Sequence, residues 1–179
     1  MAKTIIEDLK PSDEELKTIL DGYYGYNSNY PEGLYVADST GQLITASEST
    51  KKESDVTNST WYKEGLTRVN MAVGSAYQNA DGVNVISAAG ILNDGSDKVR
   101  VISADMTLDR IAIIVNSFIE MNDAEAFLVD KTSGVILANR DSSLISQTLG
   151  AEGQSHFYQL TAEKAAEKDY NFATLDGNM

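Results

Sequence analysis

Three stretches in the middle of the chain are rich in valine and isoleucine, and each is bounded by glycine, asparagine or aspartate. They cover roughly residues 71–78, 83–92 and 98–105, with turns at Asp81-Gly82 and at 93–95. Apolar, β-branched runs between such turn residues are typical of strands. The pattern therefore predicts three consecutive antiparallel strands in a meander.

Apolar residues at helical spacing precede these strands. Residues 3–25 have a helical pattern that Pro11 interrupts. The segment Ser12 to Glu15 has the capping-box signature, in which the hydroxyl and the glutamate each satisfy a free backbone N–H of the other's residue. The residues that then share one helical face are Leu16, Ile19, Leu20 and Tyr23.

Two further helices are predicted around the meander. A short one is expected at about residues 61–66, after a polar segment at 47–58 that is typical of an exposed loop. A longer one follows the third strand, with Thr107 placed to cap it and Met121 near its end. Its apolar residues at helical spacing are Leu108, Ile111, Ile114, Val115 and Phe118.

Two similar hairpins occur in the chain. The first has strands at 34–37 and 43–46 around an Asp38-Ser39-Thr40-Gly41 turn. The second spans 127–138 and has Asp130 and Gly134 in its turn. Such a repeat indicates two related modules in tandem.

Too few residues follow the second hairpin for a second module of equal size. Residues 141–166 have a loop pattern and then a helical one. A strand is predicted at 170–174, with a turn at Asp176-Gly177 and no return strand after it. This ending favours a truncated second module.

The overall composition bounds the function. Apolar residues make up 42% of the 179 residues, enough for a sizeable core. The net charge of −13 argues against binding of nucleic acids or anionic membranes, because both would be repelled. The absence of cysteine excludes disulfides, thiolate nucleophiles and cysteine-bound metals. No run has the length needed to span a bilayer, so a soluble protein or a soluble piece of a larger one is expected.

The sequence contains few residues or motifs that could serve in catalysis. The only histidine, His156, follows Ser155 in a polar stretch, and residues adjacent in sequence do not form a catalytic triad. An exposed histidine in a loop or at a helix start is the simpler interpretation. No phosphate-binding glycine loop and no metal-ligand spacing occurs. We therefore expect no catalytic residues, no metal and no cofactor.

The segment from residue 55 to 105 contains the best candidates for a binding site. It includes Trp61, Tyr62 and Tyr77, and it ends on Asp105 inside an otherwise apolar strand. An acid there is costly unless it is paired or hydrogen-bonded, which is compatible with a polar pocket. Asp105 as a cap of the following helix is an equally good interpretation. Trp61 and Tyr62, taken alone, favour packing in the core over a binding role.

The order of these features resembles the double Cache sensor domain of bacterial transmembrane receptors, mainly chemoreceptors. The features are a long N-terminal helix, a strand–Asp-x-x-Gly–strand hairpin, an Asp-x-x-x-x-x-Trp-Tyr segment, a strand with a tyrosine, two strands ending in aspartate, a connecting helix and a second hairpin. The resemblance implies an α+β fold with two PAS-like modules, each an antiparallel sheet flanked by helices, along a long N-terminal helix. Its implied divisions are 1–32 for the helix and linker, 33–122 for the membrane-distal module, and 123–179 for a partial membrane-proximal module.

The resemblance also implies a site in the distal module. In amino-acid-binding members a Tyr and an Arg grip the ligand's carboxylate, whereas a Trp, a Tyr and an Asp enclose the rest. Trp61, Tyr62, Tyr77 and Asp105 match that motif. Ser54 and Ser59 stand where the Tyr and the Arg would be, so the bidentate carboxylate clamp is missing. The candidate ligand contacts are Trp61, Tyr62, Tyr77, Asp105, Ser59 and Ser103.

The expected function is ligand sensing without catalysis. The loss of the clamp disfavours a standard α-amino acid and favours an amine or another small polar metabolite, held by ring faces and a carboxylate. The expected partners are that ligand and a second copy bound through the N-terminal helix. The domain is expected outside the cytoplasm, attached to the membrane through segments absent from this chain. A structural or dimerisation spacer without a ligand is the alternative.

Overall fold

The computed structural model describes residues 2–117 and 126–165 and divides the chain into two compact units, Met1–Arg110 and Ile111–Met179. The helices are α1 (Ala2–Leu9), α2 (Asp13–Asp21), α3 (Thr60–Gly65), α4 (Leu108–Ser117) and α5 (His156–Ala165). The strands are β1 (Tyr35–Asp38), β2 (Leu43–Ile44), β3 (Ala72–Gln78), β4 (Asn84–Leu92), β5 (Arg100–Thr107), β6 (Leu128–Val129) and β7 (Ile136–Ala138). The class is α+β, as predicted.

The first unit contains a five-stranded sheet in the order β2-β1-β5-β4-β3. Every neighbouring pair is antiparallel, so the predicted meander of β3, β4 and β5 and the predicted β1–β2 hairpin are confirmed. The register places Tyr35 opposite Ser103 and Ser87 opposite Asp105. Because side chains alternate between the faces of a strand, this register determines which residues share a face.

One face of this sheet is covered by the N-terminal helices. Their apolar residues pack on the side chains of β1, β2, β4 and β5 that point to this side. The buried residues of this core are Ile6, Leu16, Leu20, Val36, Ile44, Ala46, Leu92 and Ile102. Arg100 on the same face pairs with Asp94 and with Asp13 of α2, which anchors that helix to the sheet.

The N-terminal helix expected from the resemblance is not continuous. It consists of α1 and α2, and Lys10 between them has a φ of 48°. The cause is Pro11, which lacks an N–H donor and disfavours helical geometry in the residue before it. The predicted capping box is confirmed, because Ser12 N donates to Glu15 Oε2 at 2.9 Å and Glu15 N donates to Ser12 Oγ at 3.4 Å.

The opposite face of the sheet carries α3, the short helix predicted at 61–66, preceded by a 3₁₀ turn at Val56–Asn58. The buried residues of this second core are Tyr35, Ala37, Val56, Trp61, Tyr62, Ala89 and Val101. Gly65 lets α3 lie close to the sheet, because a Cβ there would collide with Val101 and lie 3.2 Å from Ala89. The candidate site is on this face.

The second unit contains the predicted hairpin, formed by β6 and β7. Its turn repeats that of the first, since the Asp130 side chain accepts a hydrogen bond from Thr132 N, as Asp38 does from Thr40 N. The predicted helix at the end of 141–166 is α5, with His156 exposed at its start. The expected strand at 170–174, the turn at 176–177, the end of α4 near Met121 and the boundary at 122/123 lie outside the described residues.

Candidate functional site

The side chains of four strands converge on the face of the sheet that carries α3. β1 contributes Tyr35, β3 contributes Tyr77 and β4 contributes Ser87, and all three surround Asp105 of β5. The antiparallel pairing brings them together, because Ser87 lies directly opposite Asp105 and Tyr77 lies opposite a neighbour of Ser87 on that face. Sequence reasoning singled out Tyr77 and Asp105 but not Tyr35 and Ser87.

Asp105 is an acceptor for several hydroxyl groups through one carboxylate oxygen. The Tyr35 hydroxyl and Ser87 Oγ each donate to Oδ1 at 2.5 Å. The Tyr77 hydroxyl lies 3.4 Å from the same oxygen and 2.8 Å from Ser87 Oγ. A carboxylate in a sheet interior is tolerated when its oxygens are bonded in this way.

Asp105 does not cap the following helix, which was the alternative interpretation of this residue. β5 continues two residues beyond the predicted end, to Thr107. It is Thr107 Oγ1 that accepts a hydrogen bond from the backbone N–H of Arg110, at 3.2 Å. The predicted capping role of Thr107 is therefore confirmed, and the Asp105 carboxylate belongs to the polar cluster on the sheet.

The other oxygen of Asp105 pairs with Lys51. Lys51 Nζ lies 2.6 Å from Asp105 Oδ2, and the two side chains are only 5% and 11% exposed. The same ammonium lies 4.1 Å from the centre of the Tyr35 ring and 6.0 Å from that of Trp61. Such distances allow a cation–π attraction.

Lys51 was missed by the sequence analysis, which predicted an exposed loop at 47–58. That prediction is wrong at Lys51 and at Val56, whose side chain is buried in the core. Lys51 is followed by the exposed Lys52, and nothing in the local sequence shows which of the two lysines is enclosed. The one available signal was Asp105 itself, because a buried carboxylate requires a cation or several donors.

The two tyrosines of the cluster are hydrogen-bond donors held in the neutral state. Burial and the negative charge of Asp105 raise the pKa of Tyr35 well above its ordinary value of 10.0. The same two causes raise the pKa of Tyr77. Neither phenol is a base at physiological pH, so both serve to hold a negative charge or an acceptor.

Trp61 lies next to this cluster. Its side chain is fully buried and meets the Tyr35 ring edge-on, with ring centres 4.8 Å apart. Within the described residues, Trp61 Nε1 and Ser103 Oγ are buried and make no hydrogen bond of normal geometry. Ser103 nevertheless lies near enough to the Tyr35 hydroxyl to lower its pKa. Both groups are therefore open to a polar partner.

The other two candidate contacts, Tyr62 and Ser59, are bonded elsewhere. The Tyr62 hydroxyl lies 3.5 Å from the carbonyl oxygen of Val99, and the ring is part of the core. Ser59 Oγ donates to the carbonyl oxygen of Val56 at 2.6 Å. Ser54 is exposed. None of the three has a hydrogen bond to Asp105.

A cavity lies away from this cluster, around the β4–β5 turn. It measures about 510 Å³ and is lined in part by Lys10, Asp94, Lys98 and Arg100. Three of these charged groups are held in ion pairs: Arg100 with Asp94, and Lys98 with Asp38. These pairs stabilise the turns at this end of the sheet, so the cavity is a weaker candidate than the Asp105 cluster.

Across 2–117 and 126–165, no group of three or more histidine, cysteine, aspartate or glutamate side chains is arranged to hold a metal ion. Across the same ranges, no helix combines the length and the apolar character needed to cross a membrane.

Comparison with known proteins identifies the fold. No protein-family model and no curated protein matches the sequence. Solved structures do match, among them the ligand-binding domain of the Pseudomonas fluorescens chemoreceptor CtaA in complex with L-valine. It superimposes with a TM-score of 0.63 at 20% identity, over 80% of this chain and 65% of that one.

Two domains from Pseudomonas aeruginosa PAO1 are similar to the same degree. That of PctB in complex with L-Arg has a TM-score of 0.61 at 20% identity, over 83% of this chain and 60% of that one. That of PctC in complex with GABA has a TM-score of 0.59 at 23% identity, over 78% and 63%. This chain thus spans less than two thirds of the length of these three chains. The resemblance inferred from sequence is confirmed at the level of the fold: this chain has the fold of chemoreceptor ligand-binding domains.

Proposed function

We propose that this chain is the extracytoplasmic sensing part of a bacterial membrane receptor and binds a small polar metabolite on the α3 face of its first sheet. The fold shared with chemoreceptor ligand-binding domains supports the class of function. The observation that supports the location is the Asp105 cluster. There a carboxylate that is only 11% exposed lies among three hydroxyl groups, and the Lys51 ammonium paired with it lies near two aromatic rings.

The ligand is proposed to be amine-like or related to an amino acid. The three solved domains contain valine, arginine and GABA, each with an amine and a carboxylate. The two positions of the carboxylate clamp are serines here, and Ser59 Oγ is already bonded to Val56. A neutral polar group has better partners, because Trp61 Nε1 and Ser103 Oγ are buried and, among the described residues, make no hydrogen bond of normal geometry. A charged amine has to displace Lys51 from Asp105.

The proposed signal is a change in how the sheet packs between its two layers of helices. β1 and β5 contribute Tyr35, Ser103 and Asp105 to the site on one face and Val36 and Ile102 to the core beneath α1 and α2 on the other. A ligand that binds one arrangement more tightly shifts the population toward it. We propose no catalytic step, since the phenols beside Asp105 have raised pKa values and are poor nucleophiles.

A homodimer through the N-terminal helices is also proposed. Ile5 and Leu9 of α1 are 44% and 63% exposed, which is unusual for two large apolar side chains on one short helix. Sedimentation velocity over a hundredfold concentration range is the test. We expect self-association that Leu9→Glu abolishes and that the control Val69→Glu, at another exposed apolar residue, leaves intact. A monomer at every concentration contradicts the proposal.

A thermal-shift screen of the purified chain tests the sensing function. It compares amines, amino acids and carboxylates of matched size. We expect at least one amine or neutral polar compound to raise the melting temperature by about 2 °C or more at saturation. If only carboxylates stabilise the protein, the proposed ligand class is wrong. If no compound does, a spacer without a ligand is the better account.

A further inference from the structure

We infer that the Lys51 side chain is an internal occupant of an alkylammonium site, so that a small primary amine has to displace Lys51 in the intact chain and binds at least tenfold more tightly once Lys51 is removed. The inference deepens the proposed function by naming the group with which a charged amine competes at the site. It rests on the proposed function only in treating the Asp105 cluster as the ligand site.

The surroundings of Lys51 Nζ are those of a site for a bound ammonium ion. The group lies 2.6 Å from a carboxylate oxygen and over the ring of Tyr35, with the ring of Trp61 further away. A carboxylate together with aromatic faces is how proteins bind alkylammonium ligands. Lys51 is only 5% exposed, so its aliphatic stem is enclosed as well. An ordinary surface lysine extends its charge into water instead.

Only one oxygen of the Asp105 carboxylate is available to pair with a cation. Asp105 Oδ1 is used by the hydroxyls of Tyr35 and Ser87, which leaves Oδ2 for the ammonium. A free amine therefore competes with Lys51 for the same oxygen. The tethered group has an effective concentration in the millimolar range or above, so an amine at a lower concentration does not displace it.

Truncation of Lys51 tests this directly. Lys51→Ala removes three carbons and the nitrogen, which is the size of n-propylammonium. We expect n-propylammonium to raise the melting temperature of Lys51→Ala by at least about 2 °C, while n-propanol of the same size does not. Wild type and the control Lys52→Ala, at the exposed neighbouring lysine, should need at least a tenfold higher concentration of the amine. The double variant Lys51→Ala/Asp105→Asn should not respond.

Three results overturn the inference. One is an equal response of wild type and Lys51→Ala to n-propylammonium, which means that the lysine does not compete for the site. Another is an equal effect of n-propanol, which means that the cavity is apolar and the charge irrelevant. The third is a full response of the double variant, which places the amine away from Asp105.

A second measurement on the intact chain covers the case in which Lys51→Ala does not fold. Amine acetylation followed by mass spectrometry compares the labelling rates of Lys51 and Lys52. We expect Lys51 to react at least tenfold more slowly, because its nitrogen is enclosed by Asp105 and Tyr35. Equal rates overturn the inference. This result is independent of any natural ligand, so its failure is distinguishable from a failed ligand screen.

Discussion

Two aspartates of the first sheet, the buried Asp38 and the largely enclosed Asp105, each pair with a lysine. The role of Asp38 was predictable, because turn chemistry is local: its side chain accepts hydrogen bonds from the backbone of Thr40 and Gln42. The partner of Asp105 was not, because Lys51 is 54 residues away and lies in a segment with a polar, loop-like composition. Local rules therefore identify acids in turns but not the partners of acids in strands.

The acid stability of the protein should depend on Asp38. Burial acts to raise its pKa, but hydrogen bonds from Lys98, Thr40 and Gln42 outweigh it and lower the pKa from 3.8 to about 2. A carboxylate with a lowered pKa contributes stability above its unfolded pKa, and the contribution is lost as the pH falls through the folded value. We expect wild type to lose about 2 kcal/mol of unfolding free energy through this group between pH 5 and pH 2.

Urea denaturation at a series of pH values measures this effect. Asp38→Asn should be less stable than wild type at neutral pH, and the difference should shrink as the pH approaches 2. Asp97→Asn, at an exposed aspartate near the same end of the sheet, is the control and should follow the wild-type curve. A constant difference between Asp38→Asn and wild type at every pH contradicts the assignment.

Most helices and strands follow from the pattern of apolar and polar residues. The meander, both hairpins and α3 lie where the sequence predicts them. The break between α1 and α2 also lies where Pro11 interrupts the helical pattern, and only the resemblance implied one long N-terminal helix. The end of β5 was misjudged, because Asp105 is polar but its hydrogen bonds let the strand run on to Thr107.

The contact of α3 with the sheet should depend on Gly65. Gly65→Ala improves helix propensity, yet its Cβ would collide with Val101. We expect a net loss of about 1–3 kcal/mol of unfolding free energy, since overpacking at a rigid contact costs that much. The control Lys63→Ala, on the exposed side of α3, should be neutral or slightly stabilising. If Gly65→Ala is as stable as wild type in urea denaturation, α3 does not pack on the sheet this closely.

For the whole molecule, the order of elements carried more information than any single motif. The repeated hairpins and the connecting helix indicated two related modules, and the fold agrees with solved chemoreceptor domains. Four of the six predicted contacts, Trp61, Tyr77, Ser103 and Asp105, lie together on the α3 side of the first sheet, and their role in ligand binding stays a prediction. Tyr35 and Lys51 were not found, because they join the cluster only when β1 pairs with β5 and the loop after β2 folds over the sheet.

Trp61 is the only tryptophan of the chain and lies beside the proposed site, so its fluorescence reports binding there. The most direct test of the account is a titration of the stabilising ligand, followed by Trp61 emission and by calorimetry, with wild type, Asp105→Asn and the control Asp97→Asn. We predict that the Trp61 emission change saturates with the same Kd that calorimetry gives. This Kd should be unchanged in Asp97→Asn and at least tenfold higher in Asp105→Asn. Calorimetric binding with constant Trp61 emission, and with full affinity in Asp105→Asn, contradicts a ligand site at Asp105.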